Sequence, residues 1–264
     1  MPSKRFWREM PTTEFDGDTS QWIAVLPLAA VEQHGPHLPV GVDAFIAEGM
    51  VERCAAALPP ESPVTFLPLQ EICKSNEHLG FSGTLTLDWD TTVRGWLEVG
   101  ESVARAGVRK FVIITSHGGN VHPMEIVARE LRVRHGMLVV TTSWGRLGKW
   151  QEIYSYGPVF TDIHGGHSET SVMLALRPDL VDMSKAEDFA STQSDMKARH
   201  RRIGYHGSDA NVAWMSQDLN PKGTVGDATA ASADKGERDV ASMVAGFCEL
   251  MKEVDATAPP RPRT

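Results

Sequence analysis

The chain has 264 residues, of which 41% are hydrophobic and 23% charged, and a formal net charge of −8. Such a length can bury a substantial α/β core, and the composition is that of an ordinary globular protein rather than a disordered or fibrous one. An acidic balance of this size lacks the electrostatic footprint of a nucleic-acid binder; the one basic run, Lys197-Ala198-Arg199-His200-Arg201-Arg202, reads as solvated surface.

The first residues, 1–15, carry charges throughout and have no apolar core of signal-peptide length. Nowhere does an apolar run approach membrane-spanning length. The three cysteines, Cys54, Cys73 and Cys248, are odd in number and far apart, so no disulfide framework is implied. A cytoplasmic protein without membrane or nucleic-acid partners is expected.

In chain order, Trp22 to Leu28 is a short apolar run that reads as a buried strand. Asp43 is placed to cap the helix that follows, whose apolar face is Ala47, Met50, Val51, Cys54 and Leu58. Pro59-Pro60 ends that helix. Val64 to Leu69 reads as a second strand, and residues 70–88, with no clear period, as a long functional loop. Val93, Trp96, Leu97, Gly100 and Ala104 mark the next helix, and Val108 to Thr115 the strongest strand. Met124, Val127, Ala128 and Leu131 give another helix, and Met137 to Thr142 another strand. This alternation predicts a three-layer αβα sandwich with a mostly parallel central sheet. No repeat or linker divides it, so one domain is expected over 1–264, ending in a flexible tail from about 258.

Six of the ten histidines fall in three glycine-containing clusters. They are Glu32-Gln33-His34-Gly35-Pro36-His37, Ser116-His117-Gly118-Gly119-Asn120-Val121-His122 and His164-Gly165-Gly166-His167-Ser168-Glu169-Thr170. A fourth loop, Asn76-Glu77-His78-Leu79-Gly80, adds another histidine. Imidazole and carboxylate together suit zinc, manganese or iron. The first two clusters follow strands, where ligand sites of parallel sheets lie. Glu32 and His34, two apart on an extended segment, face the same side. A lone Glu-x-His pair is a weak signal, and a lone His-Gly-Gly-Asn is a common tight turn. Three such clusters at element boundaries together predict a metal centre. His122, His135, His200 and His206 read as surface or packing residues. P-loop, nucleophile-elbow and dinucleotide fingerprints are absent.

At these residues the sequence resembles the creatininase family of metal-dependent amidohydrolases. The strongest motif runs from Leu26 to Pro39 (Leu26-Pro27-Leu28-Ala29-Ala30-Val31-Glu32-Gln33-His34-Gly35-Pro36-His37-Leu38-Pro39) and is followed by Gly41-Val42-Asp43. Phe81-Ser82-Gly83-Thr84, His117-Gly118-Gly119-Asn120, Glu169-Thr170-Ser171 and Gly223-Thr224-Val225-Gly226-Asp227 also match, with Ala231 and Gly236 downstream. The resemblance covers about Ile23 to Gly236. It implies a creatininase-like fold with two metal ions and a homo-oligomer, often a hexamer. By this resemblance Glu32 and His117 bind one ion, His34 the other, and Asp43 bridges them. Glu169 completes the metal site and serves with His164 as the candidate catalytic pair. Creatininase itself has a Tyr and a metal-binding Glu just after the histidine matching His117; here Gly118 and Gly119 stand there, which leaves Glu169 to supply the second carboxylate.

The function expected is hydrolysis of a C–N bond in a small amide, cyclic in the first instance, by a metal-activated hydroxide at a two-metal centre. Zinc is the first expectation for the ions, with manganese or iron as alternatives. His37 is a candidate to orient a ligand, and Trp144 and Trp150 are candidates to line the pocket, with packing at least as strong a reading for each. The alternatives are opening of a cyclic ketone or lactone on the same centre, deformylation of a formamide, and a non-catalytic metal-binding subunit.

Overall fold

Four parallel strands form the central sheet of the computed structural model, which describes residues 1–156 and 159–260. They are β1 (Ile23–Leu28), β2 (Val64–Phe66), β3 (Lys110–Thr115) and β4 (Leu138–Ser143), in the order β2-β1-β3-β4. Parallel neighbours need crossovers. Three helices supply them: α1 (Val42–Ala57), α2 (Trp89–Arg105) and α3 (Val121–His135). Two later helices, α4 (His167–Leu176) and α5 (Ala233–Ala256), complete the fold.

The strands are apolar on both faces because both faces are covered. Ile23, Val25, Val112 and Ile114 point into one core with α1, α4 and α5. Ala24, Leu26, Leu28, Phe111 and Ile113 point into the other with α2 and α3. The side-chain period of two thus divides each strand between two cores. This is the expected three-layer αβα sandwich.

Two local expectations change. The second strand stops at Phe66, short of Leu69. Leu67 still donates to Val25 O and Gln70 to Pro27 O, but Pro68 between them has no N–H to continue the ladder. Asp43 is not the cap of α1: Gly41 holds that position, and Asp43 sits in the first turn without capping it. Its carboxylate is buried and turned inward. The 70–88 segment is a loop as expected, apart from a 3-10 turn at Asn76–His78. Of the expected tail, residues 261–264 lie outside the described residues. No helix among the described residues is long and apolar enough to cross a membrane.

Candidate metal centre

The adjacent strands β1 and β3 end together, with Leu28 in register with Thr115. The loops leaving these ends carry Glu32 and His34 on one side and His117 on the other. Asn120 ties them: its amide donates to Ala29 O at 2.9 Å and to Thr115 Oγ1 at 3.2 Å, and its side-chain oxygen accepts from Lys74 N at 3.3 Å. The His-Gly-Gly-Asn turn therefore positions the site as well as reversing the chain. Gly35 takes a φ of 78°, in the left-handed region, with Thr224 packed where a Cβ would stand.

Three loops converge on this point. Thr84 Oγ1 accepts from Gln33 N and donates to His78 O, so the Phe81–Thr84 motif fastens the 70–88 loop to the first cluster. Thr224 Oγ1 and Val225 N both donate to His164 O, at 2.7 and 2.8 Å, so the Gly223–Asp227 motif holds the third cluster in place. Glu169 follows on the first turn of α4.

Ligand-type atoms form three triads: Glu32, Asp43 and His117; His34, Asp43 and Glu169; Glu32, His34 and His164. Asp43 Oδ2 belongs to the first two, standing 3.7 Å from His117 Nδ1 and 3.8 Å from His34 Nε2. His34 Nε2 is also 3.8 Å from Glu169 Oε2. Glu32 Oε2 is 3.1 Å from His117 Nδ1, while Oε1 faces His78 Nε2 at 3.3 Å and His164 Nδ1 at 3.6 Å.

Hydrogen bonds to the far ring atoms set the tautomers. His34 Nδ1 donates to Glu32 O, His117 Nε2 to Lys74 O and His164 Nε2 to Gln33 O, because a carbonyl can only accept. His34 Nε2, His117 Nδ1 and His164 Nδ1 are therefore the ring atoms turned inward, each a ligand atom when its ring is neutral. His78 is the opposite case. The Gln33 amide nitrogen donates to His78 Nδ1 at 2.9 Å, which leaves a proton on the Nε2 that faces Glu32.

The centre is buried, and its charged groups act strongly on one another. Burial opposes ionisation of Glu32, yet His117, His78 and His164 hold its carboxyl well below the usual range. Asp43, buried beside Glu32, is pushed well above it. Burial, then His164, pushes His34 well down, and burial pushes His78 down to about 3. Burial would lower His117 too, but Glu32, Glu77 and Asp43 outweigh it and raise this group well above its ordinary value.

The fit to metal rests on unmet bonding capacity. Glu32 Oε1 and Oε2, His34 Nε2 and Asp43 Oδ2 are all buried without a hydrogen-bond partner. Orphaned buried polar atoms are rare and costly. Four on one small volume, in residue types that bind transition metals, are suited to divalent cations.

The centre forms the floor of a cleft of about 890 Å³, walled by residues that include His122, Arg146, Tyr205, His206, Trp214 and Met215. Every expected ligand, Glu32, His34, Asp43, His117 and Glu169, lies at this point with His164. Other expectations shift. His37 Nε2 pairs with Thr170 Oγ1 at 2.9 Å rather than with a ligand. Trp144 is a core residue, 1% exposed and packed on Phe247. Trp150 packs with Tyr156 and Phe160. The cleft's tryptophan is instead Trp214. Glu77 and His78 were assigned no role from sequence; their adjacency in a glycine-containing loop was the available signal.

The sequence model described as Creatininase: Creatinine amidohydrolase matches residues 8–251. The chain belongs to the creatininase family. Relatives in this family include a mycofactocin precursor peptide peptidase of Mycobacterium ulcerans (strain Agy99), 31% identical over 89% of this chain and 87% of that protein. A creatinine amidohydrolase of Pseudomonas putida is 29% identical over 94% of each chain. A crystal structure of creatinine amidohydrolase superposes with a TM-score of 0.76 at 26% identity, covering 97% of this chain and 100% of the other. Solved creatininases of the same fold include a manganese form and a variant of Zn-Zn type, with TM-scores of 0.73 and 0.74 at 27% and 26% identity. This chain is accordingly a creatininase-family metal-dependent hydrolase with a cluster of potential metal-binding residues.

Proposed function

We propose that the chain hydrolyses the C–N bond of a small cyclic amide at a two-metal centre. The observation that carries this reading is the pair of ligand triads sharing Asp43 Oδ2. Glu32 and His117 would hold one ion, His34 and Glu169 the other, with Asp43 between. When bound, the ions would supply a water of lowered pKa and Lewis-acid polarisation of the scissile carbonyl. Zinc or manganese suits a site of imidazole and carboxylate, and both occur in solved creatininases.

The protein's own groups do the rest. His164 Nδ1 faces the cleft floor with Nε2 fixed on Gln33 O, so the ring can take or give a proton at one defined atom. Glu169 is held by Gly165 N through Oε2 and serves beside His164 in the proton transfers if its ligand role leaves an oxygen free. His78 Nε2 stands 3.3 Å from Glu32 Oε1, close enough for its N–H to favour that carboxylate's charge.

A peptide amide is the second reading, favoured by the cleft. Its volume of about 890 Å³ stands near the upper end of small-molecule sites and exceeds what a single small ring fills. The test is a panel of cyclic amides, lactones and short peptides assayed with zinc- and manganese-loaded protein. Turnover of a cyclic amide that disappears in Asp43→Ala supports the first reading. Turnover of peptides alone moves the assignment to the second, and full activity in Asp43→Ala overturns the two-metal mechanism.

We also infer a homo-oligomer. Ile72, Leu79, Leu85, Leu87 and Trp89 are all exposed within one stretch of chain, Trp89 at 65%. Apolar surface concentrated in this way marks an interaction face. Sedimentation should show a multimer that Trp89→Glu weakens.

A further inference from the structure

Glu77 lies outside all three ligand triads, yet it reaches into the centre. Its Oε1 stands 3.3 Å from His117 Nε2, on the side of the ring opposite Glu32 and Asp43. The same ring nitrogen donates to Lys74 O at 3.1 Å, and the Glu77 carboxylate stands beside that hydrogen bond. The other Glu77 oxygen accepts from Lys74 Nζ at 2.8 Å. Lys74 therefore grips the carboxylate from one end and presents its own backbone to the ring from the other.

Gly119 adds an independent observation. A Cβ at this position would collide with Glu77 Oε1 and with His117 Nε2. The absence of a side chain at 119 is what admits the carboxylate to the back of the His117 ring. Gly118, next to it, has open space where its Cβ would be, so the crowding is specific to position 119.

We propose that Glu77 is the positioning residue of His117, its carboxylate backing the Nε2–H that Lys74 O accepts and so keeping Nδ1 turned toward Glu32 and Asp43. A histidine ligand whose far N–H is held by a carbonyl or carboxylate is fixed in tautomer and orientation, and a negative charge beside that N–H makes it a stronger donor to a metal. Glu77 thus acts on the Glu32–Asp43–His117 triad through His117, from outside the three ligand triads. Gly119 is part of the same device, because it keeps the approach open.

This inference rests on the metal centre proposed above, and its test separates the two. Apo protein is titrated with zinc against a chromophoric chelator of known affinity, alongside Asp43→Ala as a control. Glu77→Ala is expected to weaken the ion at the His117 triad by roughly 10- to 100-fold. Glu77→Gln, which keeps an acceptor oxygen, should recover part of the loss. Gly119→Ala should also weaken zinc binding, because its Cβ would press on His117 Nε2, Glu77 Oε1 and Lys74 O together. Unchanged zinc affinity in Glu77→Ala overturns the role of Glu77. Absence of tight zinc binding in the unsubstituted protein overturns the metal centre itself. The Gln and Gly119 arms keep the question answerable if Glu77→Ala does not fold.

Discussion

Asp43 Oδ2 and His34 Nε2 face each other across 3.8 Å, both buried and neither hydrogen-bonded. An arrangement of this kind costs stability in the metal-free fold and is relieved by a cation. Asp43→Asn removes a carboxyl that burial and Glu32 already make hard to ionise. In chelator the variant should therefore be as stable as the unsubstituted protein or more so, by on the order of 1–3 kcal/mol. Its gain in Tm on adding zinc should vanish. Calorimetry with and without zinc measures both, and a variant that is less stable in chelator would count against a ligand role.

Stripping metal from the purified protein should lower Tm reversibly. A ligand at a thousand times its Kd stabilises by about 4 kcal/mol, which for a domain of this size corresponds to a fall of roughly 10 °C. Elemental analysis should find close to two ions per chain before stripping. One ion per chain would remove the shared role of Asp43.

Trp214 lines the cleft, whereas Trp144 is buried against Phe247. Trp214→Ala should raise KM by roughly tenfold, about 1.4 kcal/mol of lost binding, with a smaller change in kcat. Trp144→Phe should lower Tm and leave KM unchanged. Steady-state kinetics beside thermal melts separates the two, and a KM effect at Trp144 would contradict the assigned wall.

Gly236 is buried in α5 against the Ser171 carbonyl of α4, so close that a Cβ there would overlap it. Alanine normally favours a helix over glycine by about 1 kcal/mol. Here overpacking against backbone, about 1–3 kcal/mol, should win and Gly236→Ala should be destabilised in urea melts. Because α4 also carries Glu169, the second ion should bind more weakly in the same variant, as read by chelator competition.

His37 is buried, and burial lowers it from 6.5 to about 4. A histidine lowered in the folded state binds fewer protons there than when unfolded. Its contribution to stability is therefore present above about pH 6.5 and is lost as pH falls toward 4. In metal-free protein, His37→Gln should flatten the decline of Tm across that window. An identical slope in both proteins would sink the argument.

The elements were legible where one stretch of chain decided its own surroundings. Phe111-Val112-Ile113-Ile114 could only be a strand covered on both sides, and all four are fully buried. The centre was legible because Glu32, His34, Asp43, His117 and Glu169 sit in dense polar clusters at element ends. For Trp144 the sequence left packing and pocket lining both open, because the partner that decides it, Phe247, comes from the far end of the chain. Pro68 shortened β2 because a strand needs donors as well as apolar residues. Glu77 was missed for a different reason: its role depends on empty space at Gly119, and no pattern of residue types encodes a void.

The in-register pairing of Leu28 with Thr115 has an evolutionary consequence. The gap between the Glu32 loop and the His117 loop is set by adjoining strands, so it cannot drift without dismantling the sheet. The cleft wall around Tyr205 to Met215 has only short pieces of regular structure and can change independently. Selection acting on the wall can exchange one substrate for another while the reactive groups stay where the sheet puts them. Relatives of nearly equal identity to this chain, one named for creatinine and one for a precursor peptide, are what such a separation would produce.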